Sequence, residues 1–179
     1  MKRIAVFCGS NKGNKQVFQH ACILIAGELF RNNISLVYGG GNIGLMGILA
    51  DEMLRLGGNV IGVIPRKLVE IEVAHTSLTQ MHIVSNMHER KALMAELSDA
   101  FIVLPGGIGT LEEFFEVFTW LQLGYHDKPI GILNTDGFYD LMIRFLEYLT
   151  EQGFFLKKQF EMLIIRKKAD ELLNAMMSQ

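Results

Sequence analysis

Short apolar runs rich in branched residues recur along the chain, each followed by turn residues and then a segment of helical periodicity. Ile4–Cys8, Ile34–Tyr38, Asn59–Ile64, Phe101–Leu104, Ile130–Leu133 and 162–165 read as strands, because they are short and apolar, and the first five are closed by Gly, Pro or Asn. Segments near 15–31, 43–56, 87–97, 111–123, 137–150 and 168–177 repeat apolar residues at helical spacing. Between them, Leu68–Ser85 follows neither period and reads as irregular. Strands that are apolar throughout must be covered on both faces, and intervening helices supply the cover. The pattern therefore predicts an α/β fold: a Rossmann-like, doubly wound parallel sheet with helices on both faces, spanning residues 1–179 as a single domain. Such sheets bind ligands beyond the carboxyl ends of their strands. Gly9-Ser10, Gly39–Gly47 and Pro105–Thr110 all fall at such ends, so they should open onto one edge.

Composition removes several classes of function. A net charge of −2 offers no basic footprint for nucleic acid or an anionic membrane surface. The amino-terminal apolar run is too short for a signal peptide and meets Asn11–Asn14 at once, and no run reaches membrane-spanning length. Cys8 and Cys22 fall on a strand and a helix without C-x-x-C spacing, as expected of a reduced cytoplasmic protein. His75, His82 and His88 lack metal-ligand spacing, so no metal is expected.

Two glycine loops carry the chemistry. Leu104-Pro105-Gly106-Gly107-Ile108-Gly109-Thr110 joins a strand to a helix and aims bare amides and the positive end of a helix dipole into one crevice, a site for phosphate. Glu112 and Glu113 follow at once. Glu113 could face that crevice, or it could close a capping box with Thr110, while Glu112 could simply complement the helix dipole. Gly39-Gly40-Gly41-Asn42-Ile43-Gly44 matches the dinucleotide pattern, yet it follows the second strand and lacks the acidic residue that would hold a ribose hydroxyl. A nicotinamide cofactor is therefore disfavoured, and Gly44 and Gly47 could serve only close packing.

In the helix at 87–97, Met87, Leu93, Met94 and Leu97 share a face with Arg90 at its centre. An inward guanidinium is costly unless an anion meets it, from a buried carboxylate or from a phosphorylated ligand. Lys91 lies at the margin of that stripe and could reach phosphate or solvent. Met46 and Met87 could pack on a flat base. The helix at 43–56 is apolar nearly all round, so one face is left for a partner chain.

Pro105-Gly106-Gly107-Ile108-Gly109-Thr110-Leu111-Glu112-Glu113, Met87-His88-Glu89-Arg90-Lys91 and Gly39–Gly47 together resemble the hallmarks of the LOG family, cytokinin-activating nucleoside 5′-monophosphate phosphoribohydrolases also labelled lysine decarboxylase-like. No feature marks a pyridoxal phosphate site, so the decarboxylase label lacks chemical support. The resemblance implies that Arg90 and Glu113 are catalytic and that Gly106, Gly107, Ile108, Gly109 and Thr110 grip the 5′-phosphate. It places Ser10, Gly41 and Lys91 nearby and carries over Glu72 and Thr119, with Met46, Met87 and Glu112 completing the substrate site. The implied reaction is hydrolysis of the N-glycosidic bond of an N6-substituted AMP, or of AMP, without cofactor, by a homodimer with its site near the interface. A similar fold serves carriers of a phosphorylated pterin, a non-enzymatic alternative that would not require the Arg90 and Glu113 pair.

Overall fold

The computed structural model describes residues 1–69 and 74–179. Seven strands, β1 (Arg3–Phe7), β2 (Ser35–Tyr38), β3 (Val60–Pro65), β4 (Gln80–Val84), β5 (Ala100–Val103), β6 (Ile130–Leu133) and β7 (Leu163–Arg166), form one sheet in the order β4-β3-β2-β1-β5-β6-β7. Every pairing is parallel. The chain winds outward from β1 to β4, then returns to place β5 on the other side of β1. The strand order reverses between β1 and β5, the position at which open parallel sheets bind ligands beyond their strand ends.

Alternation along the strands divides the core. Ile4, Val6 and Cys8 of the first strand and its exit face one layer; Ala5 and Phe7 face the other. Helices α1 (Gln16–Arg31), α2 (Gly44–Arg55) and α7 (Ala169–Met177) cover the first face, with Ile25, Leu49 and Leu172 fully buried. The second face is covered by α3 (Met87–Leu97), α4 (Ile108–Gln122) and α5 (Asp140–Glu151), through Met94, Phe114 and Leu146. A short helix, α6 (Lys157–Phe160), precedes β7.

Three local expectations are corrected. The stretch read as irregular contains β4, whose five residues pair with Ile61–Pro65 of β3. It is an edge strand with Ile83 exposed, so neither apolar run nor alternation marked it. Thr110 does not cap α4, because that helix begins at Ile108, with Gly107 as its N-cap and no side-chain capping bond. The capping interaction occurs at α3, where Asn86 Oδ1 accepts from the Glu89 amide at 2.9 Å and Glu89 Oε2 accepts from the Ser85 amide at 2.8 Å. Finally, the apolar residues of α2 pack within the chain: it buries Leu45, Met46, Leu49, Ala50 and Met53, Ile48 and Leu54 pack half-buried on the same core, and its exposed side carries Asp51 and Arg55. Helix α1 supplies the cover that sequence periodicity assigned to a partner chain.

Candidate active site

The crevice at the β1–β5 reversal is walled by the ends of four strands. After β1, Gly9 turns the chain, its amide donating to the Pro105 carbonyl at 3.1 Å and so tying the two loops together. The Gly9 carbonyl accepts from the Leu45 amide at 3.0 Å, and the Met46 amide approaches it at 3.4 Å. The first amides of α2 are thereby occupied by backbone. Close packing explains the glycines here: a Cβ on Gly44 would collide with the Ser10–Asn11 peptide, and one on Gly47 would come within 2.7 Å of the Asn42 carbonyl carbon. This loop is a packing joint rather than a pyrophosphate cradle.

The amino end of α4 is different. Its first turn comprises Ile108, Gly109 and Thr110, and nothing within 4 Å would meet a Cβ at Gly107 or Gly109. First-turn amides have no acceptor inside their own helix, so this end presents donors and a positive dipole to the crevice. Gly106 is required for closure: a Cβ there would sit 2.6 Å from the Thr110 Cβ and 2.9 Å from the Gly9 amide nitrogen.

Arg90 enters from α3 and is only 5% exposed. Its Nε donates to the Val63 carbonyl at 3.2 Å and its Nη2 to the Gly39 carbonyl at 3.1 Å, while Nη1 lies 3.6 Å from Met87 Sδ. Carbonyls at the ends of β2 and β3 thus hold the guanidinium at one angle. The cleft so formed, about 340 Å³, is lined by Ser10, Met46, Met87, Arg90, Gly107–Thr110, Glu112 and Glu113. That size suits a small ligand. Cys8 also lines it. Burial, then Cys22 and the Glu113 charge, push the Cys8 thiol well above its ordinary pKa, so it meets the cleft as a neutral thiol.

Comparison with known proteins settles the family. A family model described as possible lysine decarboxylase matches residues 46–176. A probable cytokinin riboside 5′-monophosphate phosphoribohydrolase of Oryza sativa subsp. japonica is 49% identical over 174 residues, which is 97% of this chain and 78% of that protein. A cytokinin riboside 5′-monophosphate phosphoribohydrolase of Arabidopsis thaliana is 48% identical over 172 residues, covering 96% of this chain and 81% of that protein. The chain belongs to the LOG family. The molybdenum cofactor binding protein of the phototrophic bacterium Rippkaea orientalis superposes with a TM-score of 0.73 at 19% identity, covering 99% of this chain and 96% of that one. At that identity the likeness is one of fold.

Within this LOG-family cleft the structure gathers Arg90 and Glu113 with Ser10, Met46, Met87, Gly107, Ile108, Gly109, Thr110 and Glu112. Gly106 lines an adjoining apolar chamber of about 220 Å³ with Phe18, Leu45 and Phe138. Lys91 turns away: its Nζ lies 2.6 Å from Glu112 Oε1 and 3.0 Å from Glu116 Oε1, and its side chain is 9% exposed. Burial works to lower its pKa, but the bonds and charges of the two carboxylates outweigh it and raise the ammonium above its ordinary value. Gly41 does not line the cleft and forms an antiparallel bridge with Ala74. Thr119 is exposed three turns along α4, its hydroxyl donating to the Phe115 carbonyl at 2.7 Å. Glu72 lies outside the described residues. Sequence reasoning missed Cys8, Asn11 and Leu68 as lining residues. The first two follow a strand that ends at the reversal point, which is the signal that could have found them.

Proposed function

We propose that this protein is an N-glycosyl hydrolase that cleaves adenine-type nucleoside 5′-monophosphates, N6-substituted forms such as isopentenyl-AMP or AMP itself, to free base and ribose 5-phosphate. The relatives named as phosphoribohydrolases support the reaction class. One observation carries the assignment of roles: an uncapped helix end, a fixed guanidinium and a carboxylate line a single cleft. The amides at Gly107–Thr110 receive the phosphate, and that remote grip supplies orientation at the sugar. As the C1′–N9 bond breaks, its electron pair leaves with the base and positive charge grows on the sugar. Glu113 stabilises that charge and takes the proton of the attacking water. Arg90 positions the nucleotide and steadies negative charge on the departing base or the phosphate. Met46 and Met87 pack on the base.

The reading extends to residues 1–179 as one nucleotide-binding unit, acting in the cytoplasm as a homodimer without a cofactor. No helix among the described residues is long and apolar enough to cross a membrane. For the dimer, the supporting observation is an exposed stripe on α4, with Ile108 at 82%, Phe115 at 39% and Leu123 at 66%, that starts at the cleft and passes Thr119. Incubation with AMP and isopentenyl-AMP, following ribose 5-phosphate and base, tests the activity. Glu113→Gln should lower kcat by roughly 10²–10⁴-fold with little change in KM, as for loss of an acid–base group used in the transition state. Full turnover by that variant, or no release by the natural chain, refutes the proposal.

A further inference from the structure

His75 is a buried titratable group that lines neither cavity of the site. Both of its ring nitrogens are engaged: Nδ1 accepts from the Ser77 amide at 3.1 Å, and Nε2 lies 3.0 Å from Asp51 Oδ1 on α2. An Nδ1 that accepts from an amide carries no proton itself, so the ring proton sits on Nε2 and is donated to the carboxylate. The ring therefore ties the chain at 75–77 to α2. The backbone beside that ring holds the exit of β2. The His75 amide donates to the Gly40 carbonyl at 3.0 Å, and Ala74 bridges Gly41. Gly39, Gly40 and Gly41 have no side chains to anchor them, and Gly40 sits at φ +78°, so backbone contacts of this kind set their course. One residue back, the Gly39 carbonyl accepts from Arg90 Nη2 at 3.1 Å. Asp51, His75, Gly40, Gly39 and Arg90 thus form a line of contacts from α2 to the cleft.

We propose that His75 is a positioning residue for Arg90, a role that rests on the reading of Arg90 as the group that orients the nucleotide. Braced by Asp51, His75 holds the Gly39–Gly41 turn, and that turn holds the guanidinium at its working angle. Two bonds of the guanidinium go to backbone, from Nε to the Val63 carbonyl and from Nη2 to the Gly39 carbonyl. Loss of the brace lets the Gly39 carbonyl drift. Because the guanidinium is a rigid planar fork, drift of one acceptor turns the whole group. Asp51 and His75 themselves stay outside the cleft, so their effect on the reaction passes through the backbone.

The test combines steady-state hydrolysis of AMP and isopentenyl-AMP by the full-length chain, well below every melting midpoint, with heteronuclear NMR of the Arg90 Nε–H. That signal is identified by its absence from Arg90→Lys. His75→Ala should raise KM and lower kcat/KM by about tenfold, the order expected when a positioning group is displaced. A merely structural loss would reduce the folded fraction, and with it the apparent kcat, and leave KM where it was. The Arg90 Nε–H signal should shift and exchange faster with solvent. His75→Gln, whose side-chain amide can still donate to Asp51, should recover most of the loss. Asp51→Ala, at an exposed position, replaces His75→Ala if that variant does not fold, and should lower kcat/KM about threefold with the same change in the signal. An unchanged KM, or an unchanged Arg90 signal, overturns the proposal. If the natural chain releases no ribose 5-phosphate, the hydrolase reading fails by itself, and the Arg90 signal alone decides whether His75 fixes the guanidinium.

Discussion

Gly39→Ala should separate catalysis from folding. A Cβ on Gly39 would overlap Nη2 of Arg90, approach its Cζ to 3.1 Å and reach 3.2 Å from Met46 Sδ. The atoms it meets are the far ends of flexible side chains, so the guanidinium swings away and the strand end stays. Restoring an ordinary contact of about 3.5 Å requires a displacement of more than about 1 Å. A misplacement of that size at reacting groups costs about 10²-fold, or about 2.7 kcal/mol of barrier. The structural loss is smaller. The bond from Nη2 to the Gly39 carbonyl goes, while that from Nε to the Val63 carbonyl at 3.2 Å can remain. A charge-assisted bond contributes about 1.5–3 kcal/mol, and partial rescue by cleft water brings the expected loss to about 1–2 kcal/mol. For a chain of this length that lowers Tm by roughly 2–8 °C. The assay is kcat/KM on isopentenyl-AMP at a temperature well below both midpoints, beside a thermal melt. Gly27→Ala is the control, since its Cβ would stand 3.7 Å from Arg31 Nη2, an ordinary contact on the outside of α1. If Gly39→Ala keeps activity within threefold of the natural chain while Arg90→Ala is inactive, the fixed angle of the guanidinium is not what the site requires.

Two further outcomes follow from buried polar contacts. The Lys91 pKa is raised in the folded chain, so its pairing with Glu112 and Glu116 stabilises fully below the ordinary lysine value of 10.5 and is lost as pH rises through the higher folded value. Lys91→Met should therefore cost about 1–2 kcal/mol at pH 8, after allowing for the half-exposed Glu112, and should flatten the alkaline fall of stability in urea titrations above pH 10.5; an unchanged alkaline limb would rule this out. Tyr139 donates its hydroxyl to the Leu104 carbonyl at 2.7 Å, joining the end of β5 before the 105–110 loop to the start of α5. Tyr139→Phe leaves that carbonyl buried without its donor and should cost about 1–3 kcal/mol in denaturant melts, whereas a loss below about 0.3 kcal/mol would show that the carbonyl has found another donor.

Much of the site could be read from residues alone because its parts are local. A strand, a glycine turn and a helix in immediate succession can form an anion-binding end, so 106–110 could be read as a candidate phosphate site from the sequence. Arg90 was legible because a cation amid Met87, Leu93, Met94 and Leu97 can only point inward. Lys91 was not, since its burial depends on Glu112 and Glu116 of another helix, which become neighbours only when α3 and α4 share a face of the sheet. The same holds for the first glycine loop: a cofactor cradle and a packing joint look identical until the Gly9 carbonyl is seen to occupy the amides of α2.

What the sequence alone determined was the alternation of buried strands and covering helices, and hence the parallel α/β sheet, because apolar periodicity acts over a few residues and needs no partner. Only the tertiary structure decided that β4 is a strand, that α1 covers the second face of α2, and that the most exposed apolar side chains within helices, Ile108 and Leu141, lie on α4 and α5. Those outcomes depend on which elements become neighbours, and strand order, set by chain crossings far apart in sequence, leaves no local signature.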